Sequence, residues 1–317
     1  MCIALISTAH PSYALILIDN RDEYLNRPTA QAQWWPEPES HVLAGRDMLR
    51  SIHGTWLGVT KQGKIAVLTN YHENTTPPLS AVSRGAIIRK FLAEDIGPVQ
   101  EFVNKVVNTG IARDAGGFSL VCGHVGEKLA VISNREMDQS QVPWIAGDVV
   151  HTIGLSNAAF GDHSWKKVVS GEELMLYTLR ASVEKKETED QLIQRLLDLL
   201  SYDTLPRKAG QDDGGLEVYI EELRNTIFVP AIGRKDMSAL PEDEMRAAKV
   251  KEKVQVLEAK GVELGVSGIY GTQKQTVVLV DKSMNVRFFE RTLYDSDSNP
   301  IPIGKGDVDV KFKIEQP

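Results

Sequence analysis

The sequence predicts an α+β fold in which helices cover antiparallel sheets, and three observations carry that prediction. Short β-rich runs stand at both chain ends, several are joined in pairs across brief polar or glycine-containing turns, and helical periodicity is confined to the segments between them. Neighbouring strands joined by tight turns make antiparallel sheet, whereas a parallel sheet needs a crossover after each strand. No composition shift marks a boundary, so one domain over 1–317 is expected.

Taken in order, CIALIS and YALILIDN are two β-rich runs separated by AHPS, which reads as a hairpin and places Cys2 at the start of a strand. GTWLGVT, KIAVLTNY, FSLVCGHV and KLAVISN follow as strands, and TVVLVD with VRFFERTL make a late pair. Helices are predicted over GAIIRKFLAED, VQEFVNKVVN, EELMLYTLRAS and EDQLIQRLLDLL. In the last of these Leu192, Leu196 and Leu199 fall close to one face, and Ile193, Leu197 and Leu200 widen it into a stripe that needs a sheet to cover. PEDEMRAAKVKEKVQVLEAKG, residues 241–261, is far more polar and reads as a charged helical insertion, solvated or mobile.

A formal net charge of −7 and a pI near 5.6 argue against nucleic acid as a partner, because phosphate neutralisation needs clustered Lys and Arg. The two cysteines, Cys2 and Cys122, make neither a disulfide framework nor a four-thiolate zinc site, and the expected compartment is reducing. The start lacks the basic segment of a signal peptide, and no apolar run reaches the roughly 18 residues of a membrane span. A cytoplasmic location with at most peripheral membrane contact follows. The seven histidines show no metal-ligand spacing, and no glycine-rich phosphate loop is present, so no metal and no required cofactor are expected.

Cys2 is the main chemical candidate. Aminopeptidases generally remove an initiator Met before a small residue, which would leave thiol and α-amine on one residue. An α-amine titrates near pH 7.7–8.0, where it can take the proton from the thiol. Arg21 and Asp22, on the return strand, are expected beside that terminus, the guanidinium favouring thiolate and the carboxylate holding the amine. Read without context, NRDE is equally a surface turn with an ion pair. Asn70 after AVLT and Asn157 after IGLS stand at strand ends, where an amide can face a cleft or simply make a turn. Trp34, Trp35 and Pro36 form an aromatic patch, either a cap on a hydrophobic ligand or a lid packed on the core. Asn74-Thr75-Thr76 fits a glycosylation sequon but reads as a polar loop.

NRDEYLNRP, GTWLGVT, GKIAVLTNY, GLSNA with Trp165-Lys166, YGTQKQTVVLVD and FFERTL together resemble the NRDE family, in order and over nearly the whole chain. The pattern is more distantly similar to N-terminal-nucleophile cysteine hydrolases of the bile salt hydrolase and penicillin V acylase kind. That resemblance implies a four-layer αββα sandwich. It also implies Cys2 as nucleophile, Arg21 and Asp22 as the pair beside it, and Asn70 and Asn157 lining an oxyanion site. Gln273 stands where family members often carry Arg, a loss of bidentate anion binding that Lys274 would offset only in part.

Two functions follow from the resemblance. One is the handling of a hydrophobic small molecule, haem or an acyl lipid, linked to Golgi organisation, secretion and mitochondria, with haem as a cargo that Cys2 thiolate would ligate. The other is hydrolysis of an amide or thioester of an acyl compound by Cys2.

Overall fold

Alternation of side chains across β2 sets the layers. Leu15 and Leu17 point into a core between two sheets, while Ile16 and Ile18 point the other way, under helices. The computed structural model describes residues 1–71, 82–95, 97–135, 142–206, 219–233 and 268–315. Its first sheet orders β10 (Thr152–Leu155), β1 (Ile3–Ser7), β2 (Tyr13–Tyr24), β11 (Tyr270–Asp281), β12 (Asn285–Thr292) and β13 (Asp307–Lys313). The second orders β3 (Thr29–Trp34), β4 (Val42–Asp47), β5 (Leu57–Thr60), β6 (Lys64–Asn70), β7 (Phe118–His124), β8 (Lys128–Ser133) and β9 (Trp144–Ala146). Neighbouring strands in both sheets are antiparallel.

Helices α1 (Arg84–Ala93) and α2 (Val99–Asn108) bury Ile88, Phe91, Phe102 and Val106 on the outer face of the second sheet, against Leu68, Leu120 and Ile132. A single turn, α3 (Ile111–Asp114), follows them. Helices α4 (Lys166–Glu184) and α5 (Glu189–Leu200) cover the outer face of the first sheet, where Met175, Leu192 and Leu196 meet Ile3, Ile16 and Val277. The result is the expected four-layer αββα sandwich of antiparallel sheets. Each fully buried Leu or Ile contributes about 1.5–3 kcal/mol. Thr188 closes the α4–α5 turn with a capping box, its hydroxyl accepting from Gln191 N while the Gln191 side chain accepts from Thr188 N.

The strand pairs and four long helices expected from periodicity all form. β3, β4, β9 and β13 were not expected, for physical reasons. DVDVKFK in β13 is an edge strand whose alternate positions are charged: Asp307 and Asp309 pair with Arg291 and Arg287 of β12, and this polarity conceals a strand while guarding the edge. Trp35 belongs to the core beneath α1 and α2, where its indole N–H donates to Ala44 O at 3.0 Å and the Arg46 guanidinium lies 4.2 Å over its ring. Trp34 stacks edge-on against Phe312. The patch is therefore packing. The charged segment 241–261 and Asn74 lie outside the described residues.

Candidate functional site

The site is assembled at the open end of β1 and β2. Alternation puts Asn20 and Asp22 on the helix-covered face, and Asn20 Nδ2 duly donates to Leu200 O and Ile227 O at 2.7 and 2.9 Å. Asp22 stands opposite Thr272 of β11, just before the register of the pair shifts between Thr272 and Lys274. Thr272 Oγ1 donates to Asp22 Oδ1 at 2.7 Å, and the second carboxylate oxygen lies 3.4 Å from the α-amine of Met1. That amine also donates to the Tyr270 hydroxyl, which itself donates to Asp22 O at 3.2 Å. Asp22 thus clamps a buried N-terminus, and the amine it holds belongs to Met1.

Burial lowers the affinity of the Met1 amine for its proton, against the pull of Asp22, and pushes the Tyr270 hydroxyl far above its ordinary pKa. The Cys2 thiol donates to Asp22 O at 3.6 Å, and burial pushes it up to about 11. The charges acting on it are the terminal ammonium, Asp22 and Asp19, so with Met1 attached it is a thiol rather than a thiolate.

Arg21 is on the inter-sheet face, where its guanidinium lies 4.7 Å over the Trp56 ring and donates to Gln273 Oε1. Gln273 is buried, and its amide donates to Leu25 O and Arg27 O, so it is a structural link between β11 and the turn after β2. Lys274 is also spoken for: its ammonium donates to Glu290 Oε1 and Thr292 Oγ1, each at 2.9 Å, in a fully buried pair.

Asn157 and Asn70 do come together. Asn157 Nδ2 donates to Asn70 O at 2.6 Å, while Thr69 Oγ1 donates to Ser156 O at 2.6 Å, tying the end of β6 to the segment after β10 across the two sheets. Ser156 Oγ donates to Cys2 O at 2.8 Å, which brings the cysteine to the same seam. One N–H of the Asn157 amide is used, and the second meets no acceptor among the described residues. Asn70 contributes its main chain here and keeps an exposed side chain.

Sequence reasoning missed Lys167. Its side chain is 0 % exposed, and its ammonium donates to Met1 O at 2.5 Å. Burial lowers its pKa, with Asp22 and Cys2 opposing. The signal was present: Lys167 shares the buried face of α4 with Gly171, Met175, Thr178 and Ser182 at helical spacing, and a lysine on such a face is rare without a partner. Cys122, in β7, is fully buried among apolar side chains and its pKa is raised by that burial alone. Among the described residues no group of three or more His, Cys, Asp or Glu is placed to hold a metal, and no helix is long and apolar enough to cross a membrane.

A family model described as "Transport and Golgi organisation 2" matches residues 1–295. A mouse protein named Transport and Golgi organization 2 homolog is 29% identical over 297 residues, covering 91% of this chain and 90% of its own. The human protein of that name is 30% identical over 297 residues, covering 90% and 89%. Among solved structures, a Caenorhabditis elegans N-acylethanolamine-hydrolyzing acid amidase ortholog aligns with TM-score 0.37 at 14% identity, over 61% of this chain and 85% of its own.

Proposed function

The chain belongs to the Transport and Golgi organisation 2 family, and we propose that it acts on a hydrophobic acyl compound through Cys2, as a cysteine N-terminal-nucleophile hydrolase of an amide or thioester. The observation that supports this reading is the clamp of Asp22 and Tyr270 on a buried amine, one residue from a thiol and beside the Asn157 amide. Loss of Met1 leaves the Cys2 nitrogen as a free amine beside that clamp. The amine takes the thiol proton, sulfur attacks the acyl carbon, and the oxyanion accepts from the free N–H of Asn157. The protonated amine gives its proton to the leaving nitrogen or sulfur. Water then attacks the thioester with the amine as base, releasing the acid and restoring the thiol.

In the folded chain the Met1 amine is buried and ion-paired, so an aminopeptidase reaches it only before the fold closes. Intact mass of protein from its native cell decides whether Met1 leaves. On protein that begins with Cys2, Cys2→Ala should abolish acyl-amide and acyl-thioester hydrolysis, and Asn157→Ala should reduce it by about 10²- to 10³-fold. No turnover in such protein would reject the hydrolase. The carrier reading, haem or acyl-lipid trafficking at the Golgi or mitochondria, is then left, with haem titration of the same samples as its test.

A further inference from the structure

Met1 is itself an acyl group. Its unbranched side chain belongs to the buried apolar cluster that holds Trp165, Leu205, Tyr219, Leu223, Val229 and Ile232, its carbonyl oxygen accepts from Lys167, and an amide bond joins it to Cys2. Lys167 makes no ion pair among the described residues; besides Met1 O, its ammonium has the Trp165 ring at 5.8 Å. Departure of Met1 therefore creates two deficits at once. An apolar hole opens against α4, and a fully buried ammonium loses its oxygen acceptor, an arrangement that is costly to leave unfilled.

One ligand chemistry meets both needs, an apolar chain ending in an acyl oxygen. Resting on the hydrolase reading, we propose that the vacated Met1 pocket is the acyl-chain subsite and that Lys167 binds the acyl carbonyl oxygen. The pocket is bounded by what methionine fills, so the matching substrate is an unbranched acyl group of about hexanoyl length. A macrocycle such as haem does not fit in the place of one side chain. The carbonyl bound at Lys167 lies next to Cys2, where the thiol attacks it, and the buried ammonium then shares the oxyanion with Asn157.

The test uses full-length protein shown by mass to begin with Cys2. Binding of acetate, hexanoate and dodecanoate is measured by calorimetry and by protection of Cys2 from iodoacetamide, in parallel with hydrolysis of the matching p-nitroanilides and thioesters. Hexanoate should bind best, and the pair of leaving groups separates amide from thioester substrates. Lys167→Met, which keeps the stem and removes the charge, should weaken hexanoate binding by about ten-fold or more, as expected for loss of one charge-assisted hydrogen bond. Leu223→Trp should weaken hexanoate while leaving acetate unchanged, and protein retaining Met1 should bind neither. Hexanoate binding with these dependences but without turnover would uphold the subsite and reject the hydrolase. Turnover indifferent to chain length, or hexanoate binding unchanged in Lys167→Met, would overturn the subsite whatever the fate of the hydrolase.

Discussion

Thr272 donates its hydroxyl to Asp22 Oδ1 at 2.7 Å, just before the step where the β2–β11 register shifts. The bond turns the carboxylate so that Oδ2 faces the N-terminus, and the amine stands 3.4 Å away as an ion pair. The two strands therefore form a receptor for the terminal amine.

Asp22 is 4 % exposed, and its removal leaves the terminal ammonium buried without a counter-charge. Asp22→Ala should cost about 3–5 kcal/mol in denaturant unfolding, against the 0–1 kcal/mol of a surface pair. Arg21 works on the opposite face with Gln273 and Trp56. Arg21→Ala and Asp22→Ala should accordingly add to within about 0.5 kcal/mol in the double variant. A larger coupling would show that the two share the N-terminus after all.

With Met1 attached, iodoacetamide labelling of Cys2 should stay slow at neutral pH and climb toward about pH 11. Cys122 should react more slowly still, since it is fully buried and Cys2 is half-buried. Peptide mapping of the labelled, folded protein reads both sites. Rapid labelling of Cys2 at pH 7 in a Met1-retaining chain would contradict the environment described.

Asp19 is 1 % exposed, and burial first, then Asp22 and Glu290, raise its carboxyl well above the ordinary range against the pull of Arg21. A carboxyl whose pKa is raised on folding binds its proton more tightly in the native state, so its stabilising effect is complete below the unfolded value of about 3.9 and is lost as pH rises. Asp19→Asn cannot ionise. Its melting temperature should run close to wild type near pH 4 and exceed it increasingly toward pH 8. Parallel curves would mean that Asp19 is not held protonated by the fold.

Much of this protein was legible locally. Period-two alternation in YALILIDN and KIAVLTNY fixes which face is buried wherever two layers sandwich a strand, and the 3.6-residue stripe of EDQLIQRLLDLL declares a helix that must lie on a sheet. The same alternation carries forward into NRDE and separates Asn20 and Asp22 from Asp19 and Arg21. That separation is why Arg21 and Asp22, though adjacent in the chain, meet different partners. Asn70 and Asn157 were legible as strand ends, because a polar residue closing an apolar run marks where the sheet stops.

By itself, then, the sequence determined the layers, the strand ends that carry the two Asn, and a cysteine beside the chain start. Only the tertiary structure decided what each polar group faces. Lys167 lies 166 positions from the carbonyl it binds, and Thr272 lies 250 positions from the carboxylate it orients. The reason is physical: side-chain direction along a strand or helix follows from local geometry, but the partner of a buried charge is set by long-range packing that encloses it. A lysine in the first turn of α4 is a solvated charge in the sequence, and becomes a buried donor only when the chain terminus is threaded beneath it.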